Sequence, residues 1–294
     1  MTAALSLPAS SPSPFVADAG AWFAEVGSAL RERRLAPYLG SGLSALSPGV
    51  AVPTSYEALA EFFASKAALP KRARGNAWAS AQFVESRQHR ATVTRMMQTA
   101  FAAEVSPLPF HAHLAKLELP LIVDTWYDGA LRRAFRERAD WLEIQGINRA
   151  QIGESGWFRG YDPDGTLVSC ERAASAKTLL YKPHGGATPA GNFLITDADY
   201  VEVLTEIDIQ NPIPEAVRAR RSALGFVFLG CRFHDQLLRT YARQIIKRSS
   251  GPCYAVFDTE ALTRMEQRFV RELGMRAIAR PLSAALEQLI AASR

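Results

Sequence analysis

Seven short, mostly apolar runs recur along the chain, and most of them lead through a turn into a helical pattern. They cover residues 35–39, 119–124, 179–182, 193–196, 223–230, 253–257 and 275–279. Continuously apolar strands are buried on both faces, as in a parallel sheet whose connections are helices. The sequence therefore predicts an α/β fold with a Rossmann-like, doubly wound and mostly parallel sheet.

Two stretches interrupt this pattern of strands and helices. Residues 56–109 hold more helical pattern than one crossover needs, in segments at 56–67, 76–86 and 91–102. Residues 139–178 are irregular, and Asp164-Gly165 within them is a typical hairpin turn. We therefore expect a helical insertion over 56–109 and an irregular or β insertion over 139–178.

The first residues of the chain differ in composition from the rest. Residues 1–14 are rich in alanine, serine and proline, which predicts a disordered N-terminus. The helical spacing of Trp22, Val26 and Leu30 predicts a first helix over 15–34. We expect one Rossmann-like domain over 15–294.

Charge and cysteine content exclude several classes of protein. The net charge of +5 comes from basic residues along predicted helices rather than from a basic tail, so direct nucleic-acid binding is not expected. The three cysteines lack metal-ligand spacing, and their odd number argues against a disulfide framework, which fits a cytoplasmic protein without a metal site. No apolar run approaches the roughly 18–20 residues that span a bilayer, so no membrane association is expected.

A glycine turn follows the first apolar run, with the residues Gly40, Ser41, Gly42 and Ser44. Glycines let the backbone turn sharply and let a ligand approach closely, and a following helix start offers free N–H groups to a phosphate. By itself Gly-x-Gly after an apolar run has two readings, a phosphate cradle or a plain strand-to-loop turn.

Polar residues end three further runs, and the carboxyl ends of strands are where open α/β sheets bind ligands. Their sequences are Thr125-Trp126-Tyr127-Asp128, Lys182-Pro183-His184-Gly185 and Gly230-Cys231-Arg232-Phe233-His234-Asp235. Taken alone, His184 before two glycines is also compatible with a turn histidine bonded to the backbone. The four strand ends together favour a shared ligand site.

In their order and chemistry these four segments resemble the sirtuin-like NAD-binding family, particularly its bacterial branch that hydrolyses NAD in anti-phage defence. That family carries Gly-Ala-Gly-x-Ser after its first strand, then a proline-containing loop, Thr-Thr-Asn-Tyr-Asp, Lys-x-His-Gly and Gly-x-Ser-x-x-Asp. The resemblance covers residues 36–257. The chain lacks a Cys-x-x-Cys pair, so the zinc module of the deacetylase branch is not expected.

The resemblance implies a role for each matching position. The NAD-binding positions are Gly40, Ser41, Gly42 and Ser44 at the phosphates, Pro53 in the loop over the nicotinamide end, Thr125 after the second strand, and Gly230 and Asp235 near the adenosine half. The catalytic positions are His184 as general base, Asp128 at the carboxamide and Trp126 in the place of the family asparagine.

Trp126 is the main departure from the family pattern, because an indole has one N–H donor and no acceptor and so cannot replace an amide. Two functions therefore stay open. One is a hydrolase that cleaves NAD to ADP-ribose and nicotinamide in anti-phage defence. The alternative is a non-catalytic NAD or ADP-ribose sensor, or an interaction module, inactivated by Trp126. A protein partner or a homo-oligomer is expected in either case.

Overall fold

The computed structural model describes residues 15–148, 156–206 and 212–294, and it confirms the predicted α/β class. Within these residues, nine strands form one sheet in the order β11-β10-β9-β1-β2-β6-β3-β4-β5. The strands of this sheet are β1 Leu35–Leu39, β2 Leu121–Asp124, β3 Trp141–Gly146, β4 Phe158–Tyr161, β5 Leu167–Val168, β6 Thr178–Lys182, β9 Gly225–Leu229, β10 Cys253–Phe257 and β11 Arg276–Ala279. Neighbours from β11 to β3 run parallel, whereas β4 and β5 are antiparallel. Two short strands, β7 Gly185–Gly186 and β8 Asn192–Phe193, pair separately.

Helices connect the parallel strands and cover both faces of the sheet. They are α1 Ala19–Arg31, α2 Tyr56–Lys66, α3 Ala77–Gln88, α4 Arg90–Ala100, α5 Pro109–Lys116, α6 Ala130–Ala134, α7 Asp197–Glu206, α8 Glu215–Arg221, α9 Gln236–Ile246, α10 Arg264–Glu272 and α11 Leu282–Ala292. Side-chain caps begin several of them, among them Ser55, whose Oγ accepts the N–H of Ala58 at 3.1 Å. No helix among these is long and apolar enough to cross a bilayer.

Side chains along each strand point alternately to the two faces of the sheet, which divides the core into two layers. In β9, Phe226 and Phe228 face a cluster that includes the aromatic residues of α2 and α3, and Val227 and Leu229 face the opposite cluster with α1 and α11. Successive side chains of a strand point to opposite faces, so each buried strand serves both layers. The result is a sheet between two layers of helices, as the doubly wound prediction requires.

The structure differs from the sequence prediction at three elements. The helix predicted from residue 15 begins at Ala19, and Phe15 instead forms a bridge with Ala277. The stretch 139–178 contributes β3, parallel to β6, besides the predicted hairpin around Gly165. The strand predicted over 193–196 is found at Asn192–Phe193 and ends there, because the N–H groups of Ile195 and Thr196 donate to the Asp199 carboxylate.

Strand order places a topological switch point at β1. From β1 the chain continues into β2 on one side, while β9, β10 and β11 extend the sheet on the other side. Loops that leave neighbouring strands in opposite directions open a crevice at the carboxyl ends, where α/β sheets bind ligands. The residues predicted as disordered, 1–14, lie outside the described residues.

Candidate functional site

A cavity of about 60 Å³ lies at this switch point. Its walls come from the ends of β1 and β9, from Thr125 after β2, from His184 after β6, and from the first turn of α2. The lining residues are Tyr38, Gly40, Ser41, Ser55, Tyr56, Glu57, Thr125, His184, Gly230, Cys231, Arg232, Phe233, His234 and Leu238. Four strand ends that are far apart in the chain therefore share one hollow.

Glycines allow the ends of β1 and β9 to touch at the floor of the cavity. The N–H of Gly42 donates to the carbonyl oxygen of Gly230 at 3.0 Å. A Cβ atom on Gly40 would lie 2.3 Å from that same oxygen, and Gly230 itself has a left-handed φ of +65°. The missing side chains thus make room for the neighbouring loop. The helix start predicted after Gly40 is a short 3-10 helix, Ser41–Leu46.

His184 is buried at the inner wall, with 1% of its surface exposed. Its Nδ1 lies 3.2 Å from the carbonyl oxygen of Thr125 and 3.4 Å from the hydroxyl of Tyr56, while Nε2 has no hydrogen-bond partner among the residues that the structure describes. The rings of Tyr200 and Tyr241 pack edge-on against the imidazole. Burial lowers the pKa of His184 to about 3, so the ring is neutral at pH 7.

Trp126 fills the space between the sheet and the segment that precedes α2. Its indole N–H donates to the carbonyl oxygen of Pro53 at 2.9 Å, and its ring meets those of Tyr56 and Phe101. Only 2% of the residue is exposed. The one polar atom of the indole is therefore already used to hold the Pro53 segment against the core.

Asp128 and Ser44 bind each other instead of lining the cavity. The Ser44 hydroxyl donates to Asp128 Oδ2, and Asp128 Oδ1 accepts the N–H of Ala130 at 2.8 Å. Both residues are buried. In this conformation neither has a polar atom directed to a ligand in the cavity.

Buried charges anchor the loop that follows β9. Glu266, fully buried, accepts the N–H of Phe233 at 3.2 Å and the guanidinium of Arg232 at 2.9 Å. Arg239 donates to the carbonyl oxygen of His234 at 2.7 Å. The rim formed by residues 230–235 is therefore held in a fixed shape.

A side-chain contact links the two sides of the cavity mouth. His234 Nε2, on the loop after β9, lies 3.3 Å from Glu57 Oε1 in the first turn of α2. The partly exposed pair contributes little free energy, but it connects α2 to the sheet where the cavity opens.

Five of the positions proposed from the sequence line the cavity, and six do not. The first group is Gly40, Ser41, Thr125, His184 and Gly230. The other six lie outside the lining and contact other residues. Gly42 bonds to Gly230, Ser44 bonds to Asp128, and Trp126 bonds to Pro53. The side chain of Asp235 caps α9 by accepting the N–H of Leu237.

The sequence reasoning missed the contribution of α2. A Ser55 cap was predictable from the residue type and the following helical pattern. That Tyr56 and Glu57 meet the ends of four strands depends on tertiary packing, for which no local signal exists.

Comparison with known families gives a direct result. A model of the SIR2-like domain matches residues 120–278, which is 159 of the 294 residues and more than half of the chain. The chain belongs to the SIR2-like family. Membership implies an NAD-binding, sirtuin-like protein. The matched SIR2-like range contains Thr125, His184 and Gly230, whereas the glycine turn after β1 precedes it. No curated protein matches the sequence significantly.

In residues 15–148, 156–206 and 212–294, no group of three or more His, Cys, Asp or Glu side chains is arranged to hold an ion.

Proposed function

We propose that this SIR2-like chain binds NAD at the switch-point cavity and cleaves it to ADP-ribose and nicotinamide. The observation that carries the proposal is the shared cavity, in which Ser41, Thr125, His184 and Gly230 meet from four different strand ends. A buried histidine beside a glycine-rich turn combines a base with a backbone that a phosphate can approach.

The proposed reaction breaks the bond between ribose C1′ and the nicotinamide nitrogen. The electron pair leaves with neutral nicotinamide, a water oxygen bonds to C1′, and one proton is released. His184 Nε2 would accept that proton from water or from a ribose hydroxyl, since Nδ1 is engaged with Thr125. Positive charge that develops on the ribose favours a pocket closed to bulk water.

NAD requires more room than the described conformation provides. Sites for ligands of this size measure on the order of 300–1,000 Å³, whereas the cavity measures about 60 Å³. Binding therefore requires the Pro53 segment and the first turn of α2 to move outward, away from Trp126 and His234. Hydration of His184 in the open form would raise its pKa toward the ordinary value of 6.5, where a base works best near neutral pH.

The decisive experiment measures nicotinamide release beside calorimetric binding of NAD and ADP-ribose. Wild-type protein is expected to release nicotinamide, and His184→Ala is expected to abolish release with an unchanged circular dichroism spectrum. His113→Ala is the matched control, because His113 is a partly exposed histidine that contacts Ser293 and does not line the cavity. Wild-type protein that binds NAD without any turnover would contradict the hydrolase proposal.

Trp126 supports the second candidate, a sensor that binds NAD or ADP-ribose without cleaving it. The indole occupies the position of the family asparagine and is held by Pro53 and aromatic neighbours. Trp126→Asn separates the candidates. A gain of hydrolysis indicates an enzyme silenced by the indole, whereas a loss of ADP-ribose affinity without turnover indicates that the indole contributes to binding.

We further propose that the protein acts in the bacterial cytoplasm in anti-phage defence, with a partner protein or a second copy of itself. The support is the resemblance of its strand ends to the defence branch of the family. Cells that express the wild-type chain are expected to show fewer phage plaques than cells with His184→Ala. Equal plaque counts would contradict the defence role, and light scattering on the purified protein tests self-association.

A further inference from the structure

Lys182 carries a charge into the core two residues before His184. It is 3% exposed, and its ammonium group donates to Asp124 Oδ2 at 2.5 Å, to the Trp126 carbonyl at 2.6 Å and to the Asp128 carbonyl at 3.1 Å. An ammonium group has three donors, and all three are used. A buried charge is tolerated when each of its donors has a hydrogen-bond partner.

The partners of Lys182 lie at the beginning, middle and end of one turn, residues 124–128. Val123 of β2 lies opposite Tyr181 of β6, so the next residues, Asp124 and Lys182, come side by side at the strand ends. Asp124 Oδ1 also accepts the N–H of Trp126 at 3.1 Å. One ammonium group and one carboxylate therefore fix the path of the whole turn.

The charge state of the pair is consistent with this arrangement. Burial alone would lower the pKa of Lys182, but Asp124 and its other acidic neighbours raise it above its ordinary value. Burial raises the pKa of Asp124 to about 6, opposed by Lys182. Both groups are therefore charged at pH 7.

Thr125 is the residue of this turn that contacts His184. Its N–H and its hydroxyl both donate to the carbonyl oxygen of Leu39, at 3.0 and 2.8 Å, and its own carbonyl oxygen faces His184 Nδ1. A carbonyl oxygen only accepts hydrogen bonds, so the proton must reside on Nδ1. The lone pair then lies on Nε2, which has no partner within the described part of the chain and can accept a proton.

We propose that Lys182 is a positioning residue for His184: it holds the 124–128 turn so that the Thr125 carbonyl fixes the imidazole in the Nδ1–H form. The use of this form in catalysis rests on the proposed NAD cleavage. The form itself is a property of the protein without ligand and is measured independently.

The test uses the full chain labelled with ¹⁵N-histidine and long-range ¹H–¹⁵N NMR, which distinguishes the two neutral forms of an imidazole. The chain has five histidines, and the His184 signals are assigned by their loss in His184→Gln. In wild-type protein we expect a protonated Nδ1 and an unprotonated Nε2. A wild-type His184 with its proton on Nε2 overturns the proposal directly.

Two variants remove the hydrogen bonds between the Lys182 ammonium group and the 124–128 turn. Lys182→Met leaves Asp124 buried without its partner, whereas Asp124→Asn combined with Lys182→Met also removes the orphaned charge. In the double variant we expect His184 to show a mixture of both neutral forms. Lys177→Met is the matched control, because Lys177 directly precedes β6, the strand that ends at Lys182, but its side chain is 62% exposed and pairs with Glu118 and Asp140.

Each outcome decides for or against the positioning role. A folded double variant that keeps the pure Nδ1–H form overturns it, as does a Lys177→Met protein with the same mixture. Failure of both Lys182 variants to fold assigns the lysine to the fold and likewise overturns the role. Where wild-type protein cleaves NAD, the double variant should lower kcat at least tenfold with an unchanged Kd for ADP-ribose.

Discussion

Single side chains at this site are occupied by partners that sequence alone does not reveal. Ser44 and Asp128 are the residue types expected at a ligand, yet they are 84 positions apart in the chain and bind each other. Their placement near the ends of strands was predictable, because both residues follow apolar runs in the sequence. Their partners were not, because a hydrogen bond over such a separation depends on the complete fold.

Trp126 allows a prediction about the motion of the Pro53 segment. Trp126→Phe keeps an aromatic ring beside Tyr56, removes the N–H bond to the Pro53 carbonyl and leaves space where the larger indole packed. Loss of one buried hydrogen bond should cost about 1 kcal/mol of stability. We expect hydrogen exchange in residues 51–58 to accelerate and ADP-ribose to bind more tightly, because the segment must open to admit it.

The matched control is Trp22→Phe, which removes a similar bond from the indole to the Arg276 carbonyl at 2.8 Å on the opposite face of the sheet. It should leave exchange in residues 51–58 unchanged. Equal exchange rates in wild-type and Trp126→Phe protein would show that the indole does not restrain the segment.

Among the elements, apolar strands were predictable and a partly polar one was not. The runs at β1, β2, β6, β9, β10 and β11 are apolar enough to be recognised from the sequence. β3 carries Glu143 and Gln145, which are buried because Gln145 donates to Glu143 at 2.6 Å and Arg132 lies 3.5 Å from the same carboxylate. Because these polar side chains bond to each other inside the fold, β3 is buried without the apolar pattern by which a buried strand is recognised from the sequence.

The contact between the ends of β1 and β9 predicts a steep cost for one added methyl group. In Gly40→Ala the new Cβ would lie 2.3 Å from the Gly230 carbonyl oxygen, so one of the two backbones must move. We expect a loss of about 2–3 kcal/mol, the upper range for overpacking, measured as a lower urea midpoint. ADP-ribose affinity should fall as well, because the floor of the cavity shifts.

Gly20→Ala is the control, since Gly20 lies in the first turn of α1 and its added Cβ would only approach the Asp18 side chain at 3.3 Å. Its free energy of unfolding should match that of the wild type within about 0.5 kcal/mol. A Gly40→Ala protein as stable as this control would mean that the two strand ends are not in contact.

For the whole molecule, buried histidines predict a loss of stability in mild acid. Burial lowers the pKa of His184 to about 3 and that of His111 to about 4, from an ordinary value of 6.5. Below pH 6.5 these histidines bind protons in the unfolded chain but stay neutral in the folded chain. Stability therefore falls as the pH decreases. Asp124, whose pKa burial raises to about 6, offsets part of this effect. Between pH 6.5 and 5 we expect a net loss of about 2 kcal/mol.

Urea unfolding at a series of pH values measures this loss. His184→Phe should show a shallower decline than wild-type protein, because phenylalanine does not titrate and retains the contacts with Tyr200 and Tyr241. A variant whose stability declines as steeply as that of the wild type would show that His184 is not protected from protons.

The central position of β1 has a consequence for how the protein is made. Leu35 pairs with Gly225, a partner 190 residues later in the chain. During synthesis, a growing polypeptide therefore exposes the glycine turn long before β9 leaves the ribosome. Contacts so distant in sequence form slowly, and affinity for a dinucleotide should emerge late, only after β9 has left the ribosome.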